Sequence, residues 1–271
     1  MLGWLVVLWV MFGFGRSLAD VTDLQGSGLD NLLQESETWM GVYHRENKLG
    51  SIYSKTIKLP EGFRFEQHSR LMLNLAGSQQ KVVTNLQVWL DKRQVFQRFE
   101  LKLQAGPLKG QLNGKLDQGK LVVTINLGAE TIEKIWPLDG PPIFNFALPK
   151  LLAQYDLRKG RRFRVTVFDP QTLTNQATEI EVIGPEVLKT SQGLKSTIRL
   201  RRSLAGNNLD TWIDEAGMVL QEEYALGLML RKEDQAVANT EIKVYTKPDT
   251  VQDSASVLHL LMPDSLGGRS E

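Results

Sequence analysis

The segment Leu209-Asp-Thr-Trp-Ile-Asp-Glu-Ala-Gly-Met-Val-Leu-Gln-Glu-Glu223 decides the fold class of this chain. Two short apolar runs, around Trp212 and around Leu220, flank a turn formed by Asp214-Glu215-Ala216-Gly217. A glycine at the end of such a turn adopts positive φ angles at little cost, as a tight connection between strands requires. The segment therefore predicts a β-hairpin.

The same alternation recurs along most of the chain from Thr38 onward. Its clearest instance is residues 98–104, where Phe99, Leu101 and Leu103 alternate with charged or polar residues. Strands with one apolar and one polar face are typical of antiparallel sheets. The pattern predicts further strands over residues 38–44, 51–59, 63–75, 82–89, 121–127, 132–136, 162–167, 179–183, 196–202 and 226–231.

One helix interrupts this predicted series of strands, between Pro141 and Gly160. Leu148, Leu151, Leu152 and Tyr155 follow helical spacing, Pro149 suits a first helical turn, and Gly160 follows the basic pair 158–159. The apolar stripe of this helix needs a partner surface. The predicted fold is therefore mainly β: a curved antiparallel sheet or incomplete β-barrel, with one short helix packed on its concave face.

The first nineteen residues differ in composition from the rest. Leu2–Phe14 is apolar or glycine throughout, and thirteen helical residues span roughly 20 Å, less than the roughly 30 Å of a bilayer core. Ser17 and Ala19 fit a signal-peptidase site, so we expect cleavage after Ala19 and export to the periplasm or cell exterior. A retained anchor is the alternative, because no basic side chain precedes the apolar run.

The predicted organisation is a signal peptide (1–19), a leader that is a short helix or mobile (20–37), a β-rich half-barrel (38–235) and a loosely ordered tail (236–271). No cysteine is present, so an exported form is held by its core, and acylation as a lipoprotein is excluded.

The net charge of the predicted exported form is about zero. With Arg16 removed, it has 31 basic and 31 acidic residues. Such a balance argues against nucleic-acid binding. Any membrane association is expected to be peripheral at most.

The sequence carries no recognisable catalytic or cofactor motif. There is no nucleophile elbow, no P-loop, and no cysteine to act as a nucleophile. His44, His68 and His259 lack metal-ligand spacing, so neither a metal nor a cofactor is expected. Glu222 and Glu223 are adjacent on a strand and point to opposite faces. The expectation is a protein that is not an enzyme.

Apolar residues near the predicted helix are the candidate ligand site. A curved sheet crossed by a single helix leaves an apolar groove, and such grooves bind acyl chains or peptides. The alternative interpretation is that the aromatic residues are ordinary core. The candidate ligand-binding residues are Trp39, Trp89, Phe99, Leu148, Leu152, Tyr155 and Trp212.

Two pairs of arginines form the candidate anion site. Arg162 and Arg164 share one strand face, as do Arg199 and Arg201, and their guanidinium groups are suited to phosphate or carboxylate. The favoured alternative is a solvated sheet face with cross-strand ion pairs to Glu179 and Glu181.

Several short motifs, in order, carry a resemblance over residues 38–233. They are Trp39–Tyr43 followed by Lys48-Leu49-Gly50, Pro149–Leu157 followed by Gly160, Phe168-Asp169-Pro170, and Thr211–Asp214 followed by Gly217 and Glu222-Glu223. The chain resembles the β-rich domain preceding the catalytic core of bacterial transglutaminase-like proteins. It is also similar to periplasmic domains of unknown function akin to the lipoprotein-carrier half-barrel of the LolA/LolB type. No catalytic Cys, His, Asp core follows, so the resemblance implies a stand-alone accessory or binding module.

The leading hypothesis is a non-enzymatic exported module that binds an apolar ligand, either a lipid or an acyl chain, or an envelope protein partner. One alternative is an accessory subunit of a separately encoded transglutaminase-like protein. A second alternative is a hydrolase that uses Asp or Glu side chains.

Overall fold

The computed structural model of the protein describes residues 21–24, 32–75, 78–128, 130–137, 142–170, 174–204, 207–224 and 227–240. The predicted signal peptide and the predicted tail beyond residue 240 lie outside this part of the chain. The described elements are β1 (Val21–Leu24), β2 (Ser36–His44), β3 (Asn47–Leu59), β4 (Gly62–Leu75), β5 (Ser78–Asp91), β6 (Phe96–Ala105), β7 (Leu108–Asp117), β8 (Lys120–Leu127), β9 (Glu130–Pro137), β10 (Ile143–Phe144), α1 (Leu148–Leu152), β11 (Arg162–Asp169), β12 (Thr174–Thr190), β13 (Gly193–Leu204), β14 (Asn207–Ile213), β15 (Val219–Glu223), β16 (Leu228–Glu233) and α2 (Gln235–Ala238).

Two antiparallel meanders build one large sheet. Strands β2 to β9 are neighbours in chain order, and so are β11 to β16. Antiparallel pairing of β16 with β2 joins the two meanders. The strand order is β1-β11-β12-β13-β14-β15-β16-β2-β3-β4-β5-β6-β7-β8-β9. Strands β1 and β10 both pair with β11 in parallel, a feature that the predicted antiparallel series did not include.

The sheet curls until strands from its two ends share one core. Phe99 on β6 lies 5.9 Å from Phe168 on β11, and Phe96 lies 5.1 Å from Phe144 on β10, measured between ring centroids. In the described part of the chain, β1 and β9 are not paired with each other. The predicted curved sheet or incomplete barrel is thereby confirmed.

The predicted helix is present on the inner side of this sheet. α1 has Pro149 in its first turn and buries Leu148, Leu151 and Leu152, which join the main core. It ends at Leu152, before Tyr155, which packs edge-on against Phe163 at 5.5 Å. A second short helix, α2, was not predicted, because its four residues are too few to show helical periodicity.

The described part of the predicted leader is integrated into the fold rather than helical or mobile. Val21–Leu24 is a strand beside β11, and Leu24, Leu32 and Leu33 are buried in the core. The buried amide of Gln94 accepts a hydrogen bond from Leu33 N at 2.7 Å and donates one to Leu33 O at 3.0 Å. These two hydrogen bonds hold the segment around Leu33 against the β5–β6 connection. A four-residue strand is too short for its sequence pattern to show it.

Candidate ligand-binding cavity

A cavity of about 360 Å³ lies inside the curved sheet next to α1. Most of its wall comes from three groups of elements: β2 to β4, β14 to β16, and the β10–α1 segment. Residues of β5, β12 and β13 complete it. The main apolar residues of the wall are Met40, Val42, Ile52, Phe65, Leu71, Phe144, Phe146, Leu148, Leu152, Val219, Leu228 and Leu230. A pocket of this size with a largely apolar wall is typical of small-molecule sites, which occupy about 300–1,000 Å³.

Aromatic residues separate the cavity from the packed core. Phe146 stacks on Phe65 with 3.8 Å between ring centroids, and Phe144 lies 5.5 Å from Phe146. Phe144 in turn contacts Phe96 and Phe168 of the core. These rings therefore form a rigid apolar boundary on one side of the cavity.

The turn of the β14–β15 hairpin holds α1 against the cavity. Asp214 Oδ1 accepts hydrogen bonds from Ala216 N at 3.0 Å and Met218 N at 2.8 Å. Gly217 has a φ of 73°, and a Cβ atom there would lie 2.7 Å from the carbonyl oxygen of Pro149. The turn and the helix backbone therefore meet at a distance that only glycine permits.

Hydroxyl groups hold the carboxylate that lines the cavity. Glu222 accepts hydrogen bonds from the hydroxyl of Tyr224 at 3.1 Å and from that of Thr211 at 3.5 Å. All three residues line the cavity. Glu223, the next residue, pairs with Asp210 on the outer face, as the alternation of a strand requires.

Two cations line the cavity from the side of α1 and β13. Arg202 Nη1 donates a hydrogen bond to Asn145 Oδ1 at 2.7 Å. Lys150 is half-buried on α1, and burial lowers the pKa of its ammonium group. Neither cation forms an ion pair with a carboxylate of the described residues.

The structure brings two of the seven predicted ligand-binding residues to the cavity. Leu148 and Leu152 line it, whereas the described lining residues do not include Trp39, Trp89, Phe99, Tyr155 or Trp212. Phe99 belongs to the packed core, and Tyr155 packs against that core at its edge. A ligand-binding role for these five residues stays a prediction.

The three predicted tryptophans lie on the outer face of the sheet. Trp39 packs on Tyr53 at 4.4 Å, and the guanidinium of Arg98 lies 3.4 Å above the ring of Trp89. Trp212 is 3% exposed and lies beneath the guanidinium of Arg199 at 4.9 Å. Because their strand neighbours face inward, alternation turns these aromatic rings away from the cavity.

The four candidate anion-binding arginines all have acidic neighbours. Arg201 donates two hydrogen bonds to Asp210, at 2.7 and 2.9 Å, and Arg199 also donates to Asp210. Arg162 pairs with Glu179 at 3.2 Å, as the cross-strand alternative predicts, and Arg164 lies 4.0 Å from Asp23.

Burial acts to raise the pKa of Asp210, but hydrogen bonds from Arg201 and Arg199 hold it below its ordinary value.

A polar cluster on the outer face fixes the end of β16. Glu233 accepts hydrogen bonds from the hydroxyl of Tyr43 and from Lys48 Nζ, the latter at 2.8 Å. Burial and the hydrogen bond to Glu233 raise the pKa of Tyr43 to about 12. Lys48 Nζ also donates to the carbonyl of Val237 at 2.6 Å, which anchors α2 beside β2 and β3. This cluster does not line the cavity.

Most of the cavity wall has no local signal in the sequence. Residues of β2 to β4 and β14 to β16 supply it, and their inward positions follow from alternation, but only pairing of β16 with β2 brings the two sets together. Lys150 has a signal in the sequence that could indicate a cavity residue, because it is a lysine within an otherwise apolar helical stretch.

The described residues contain no group of three or more His, Cys, Asp or Glu side chains arranged to hold a metal ion. His68 is on the outer face, where its ring contacts Asn85 and accepts a hydrogen bond from Arg70 Nε at 2.8 Å. His259 lies outside the described residues.

Among the described helices, none has the length and apolar character needed to span a membrane.

Comparisons with known proteins give one structural likeness. No protein-family model and no curated protein matches the chain. Its fold is similar to the crystal structure of a β-barrel-like protein of a domain of unknown function, DUF1849, from Brucella abortus. The TM-score is 0.50 at 12% identity, over 73% of this chain and 94% of that chain. This likeness supports the β-rich, barrel-like architecture alone. The transglutaminase-associated and lipoprotein-carrier resemblances stay predictions.

Proposed function

We propose that the protein is a non-enzymatic, exported binding module whose cavity takes the acyl part of a lipid. The observation that carries this proposal is the 360 Å³ cavity, whose wall is mostly aliphatic and aromatic. Burying apolar surface stabilises a complex by about 25 cal/mol for each Å² removed from water. An acyl chain supplies such surface along its whole length.

Export is part of the proposal and depends on the apolar segment Leu2–Phe14 and the cleavage pattern ending at Ala19. A location in the periplasm or outside the cell would bring the module into contact with envelope lipids. The absence of cysteine is compatible with that location, because the shared core of the curled sheet holds the fold together.

A cavity-filling substitution tests the proposed site. Ser54 lines the cavity from β3, so Ser54→Phe places a phenyl ring inside it. We expect this variant to bind N-phenyl-1-naphthylamine, a neutral apolar dye, about tenfold more weakly than the wild type, in a fluorescence titration. Ser51→Phe, three residues away on the outer face, is the matched control and should bind the dye as the wild type does. Equal dye binding by both variants, or no binding by the wild type, would contradict the proposal.

Binding of an envelope protein at a sheet edge is the second candidate function. Strand β9 ends the strand order, and it exposes 41% of Ile132 and 57% of Ile135. Exposed apolar edge strands are ready templates for an added strand from a partner. A separately encoded transglutaminase-like protein, as the sequence resemblance implies, would be a partner of this class.

A further inference from the structure

The charged residues that line the cavity carry an excess of positive charge. In the described part of the chain they are Lys55, Lys150, Arg202 and Glu222. Glu222 is already hydrogen-bonded by the hydroxyls of Tyr224 and Thr211. Among the described residues, Lys150 and Arg202 form no ion pair with Glu222 or with another carboxylate.

Lys150 and Arg202 differ in this respect from the arginines of the outer face. Arg162, Arg199 and Arg201 each have a carboxylate partner, whereas Arg202 contacts the neutral amide of Asn145. Asn145 lies just before α1, so this contact holds the guanidinium of Arg202 beside the start of the helix. The two cations thus sit on the same side of an apolar cavity.

The burial of Lys150 makes an anion a favourable partner. Its ammonium group is half-buried, and the loss of hydration lowers its pKa. A carboxylate bound beside it would replace the lost hydration with a charge-assisted hydrogen bond. The position of Lys150 in the last turn of α1 also gives it a structural role toward the helix dipole, which the experiment must separate from binding.

We propose that the cavity binds a single-chain anionic amphiphile, namely a long-chain carboxylate, with its carboxylate at Lys150 and Arg202. The alkyl chain lies along Met40, Val42, Leu228 and Leu230 on the β16–β2 wall. The cavity volume is near the lower end of the range for small-molecule sites, which favours one chain over two. This inference rests on the proposed function and adds the chemical class of the ligand.

Competition between two ligands of equal chain length tests the inference. Dodecanoate and dodecan-1-ol each displace N-phenyl-1-naphthylamine from the wild-type protein, and we expect dodecanoate to bind about tenfold more tightly. Lys150→Met removes the charge but keeps the side-chain length and helix propensity. It should remove most of this preference by weakening dodecanoate binding about tenfold, with a much smaller effect on dodecan-1-ol. A purely structural role of Lys150 would weaken both ligands equally.

Two further variants keep the test decisive. Lys120→Met changes an exposed lysine on β8 and should leave the preference for dodecanoate intact. Arg202→Gln removes the second cation without changing a residue of α1, and it should also reduce the preference for dodecanoate over dodecan-1-ol. Dye binding with equal affinities for dodecanoate and dodecan-1-ol would overturn the charge inference alone. Absence of dye binding to the wild type would overturn the proposed function and this inference together.

Discussion

Replacement of Gly217 by alanine is expected to lower the free energy of unfolding by about 3 kcal/mol and to weaken dye binding in the cavity. The residue has a φ of 73°, and its added Cβ would lie 2.7 Å from both the Pro149 carbonyl oxygen and Lys150 Cα. Because both neighbours are backbone atoms of α1, relief requires the helix or the turn to move. Urea denaturation followed by tryptophan fluorescence measures the loss of stability, and titration with N-phenyl-1-naphthylamine measures the effect on the cavity.

Gly119→Ala is the matched control for this prediction. Gly119 has a similar φ of 76°, but no atom lies within 4 Å of the position of an added Cβ. The control therefore has the conformational cost of about 1 kcal/mol without a steric clash. If the two variants lost equal stability and kept equal dye binding, the close contact between the β14–β15 turn and α1 would be contradicted.

Replacement of Asp210 by alanine is expected to destabilise the protein by about 3 kcal/mol at neutral pH. Asp210 is 8% exposed and accepts hydrogen bonds from both Arg199 and Arg201. Its removal leaves two neighbouring guanidinium groups on β13 without their shared counter-ion. Asp23→Ala removes an exposed carboxylate 4.0 Å from Arg164 and should cost less than about 0.5 kcal/mol.

The pH dependence of the Asp210 variant provides a second readout. The pKa of Asp210 is below its ordinary value in the folded state, so the wild type gains stability from this group above the unfolded-state pKa, about 3.9. That gain is lost as the pH falls through the folded-state pKa. The stability difference between the wild type and Asp210→Ala should therefore shrink below about pH 4. A difference that stayed constant down to pH 2 would contradict the paired geometry.

The alternation of side chains made most of the sheet predictable from sequence. Strands such as β6 and β8 place an apolar residue at every second position, and this one-sided burial identifies them locally. Strand β7 was not predicted, because Gly110 and Gly114 occupy two of its inward positions and remove the apolar signal. Gly114 instead lies under the ring of Phe99, which occupies the space that an added Cβ would need.

The cavity was predictable only in its position near α1. Leu148 and Leu152 carry a local helical signal, so the sequence identified them. Val42 and Leu230 are directly opposite each other in the β16–β2 pairing, which joins segments separated by almost two hundred residues, and no local pattern encodes that pairing. The outward direction of Trp89 and Trp212 follows from alternation. Their aromatic character nevertheless favours the prediction that they face the cavity.

Native mass spectrometry of the proposed mature form, from Asp20 onward, distinguishes acyl binding from partner binding. The protein should be purified gently from the envelope of its own host and its bound species extracted into organic solvent. We expect a monomer that carries one acyl species, and extraction should yield a single-chain carboxylic acid. An empty monomer, or a stable complex with another protein and no lipid, would contradict the acyl-binding function and favour partner binding at β9.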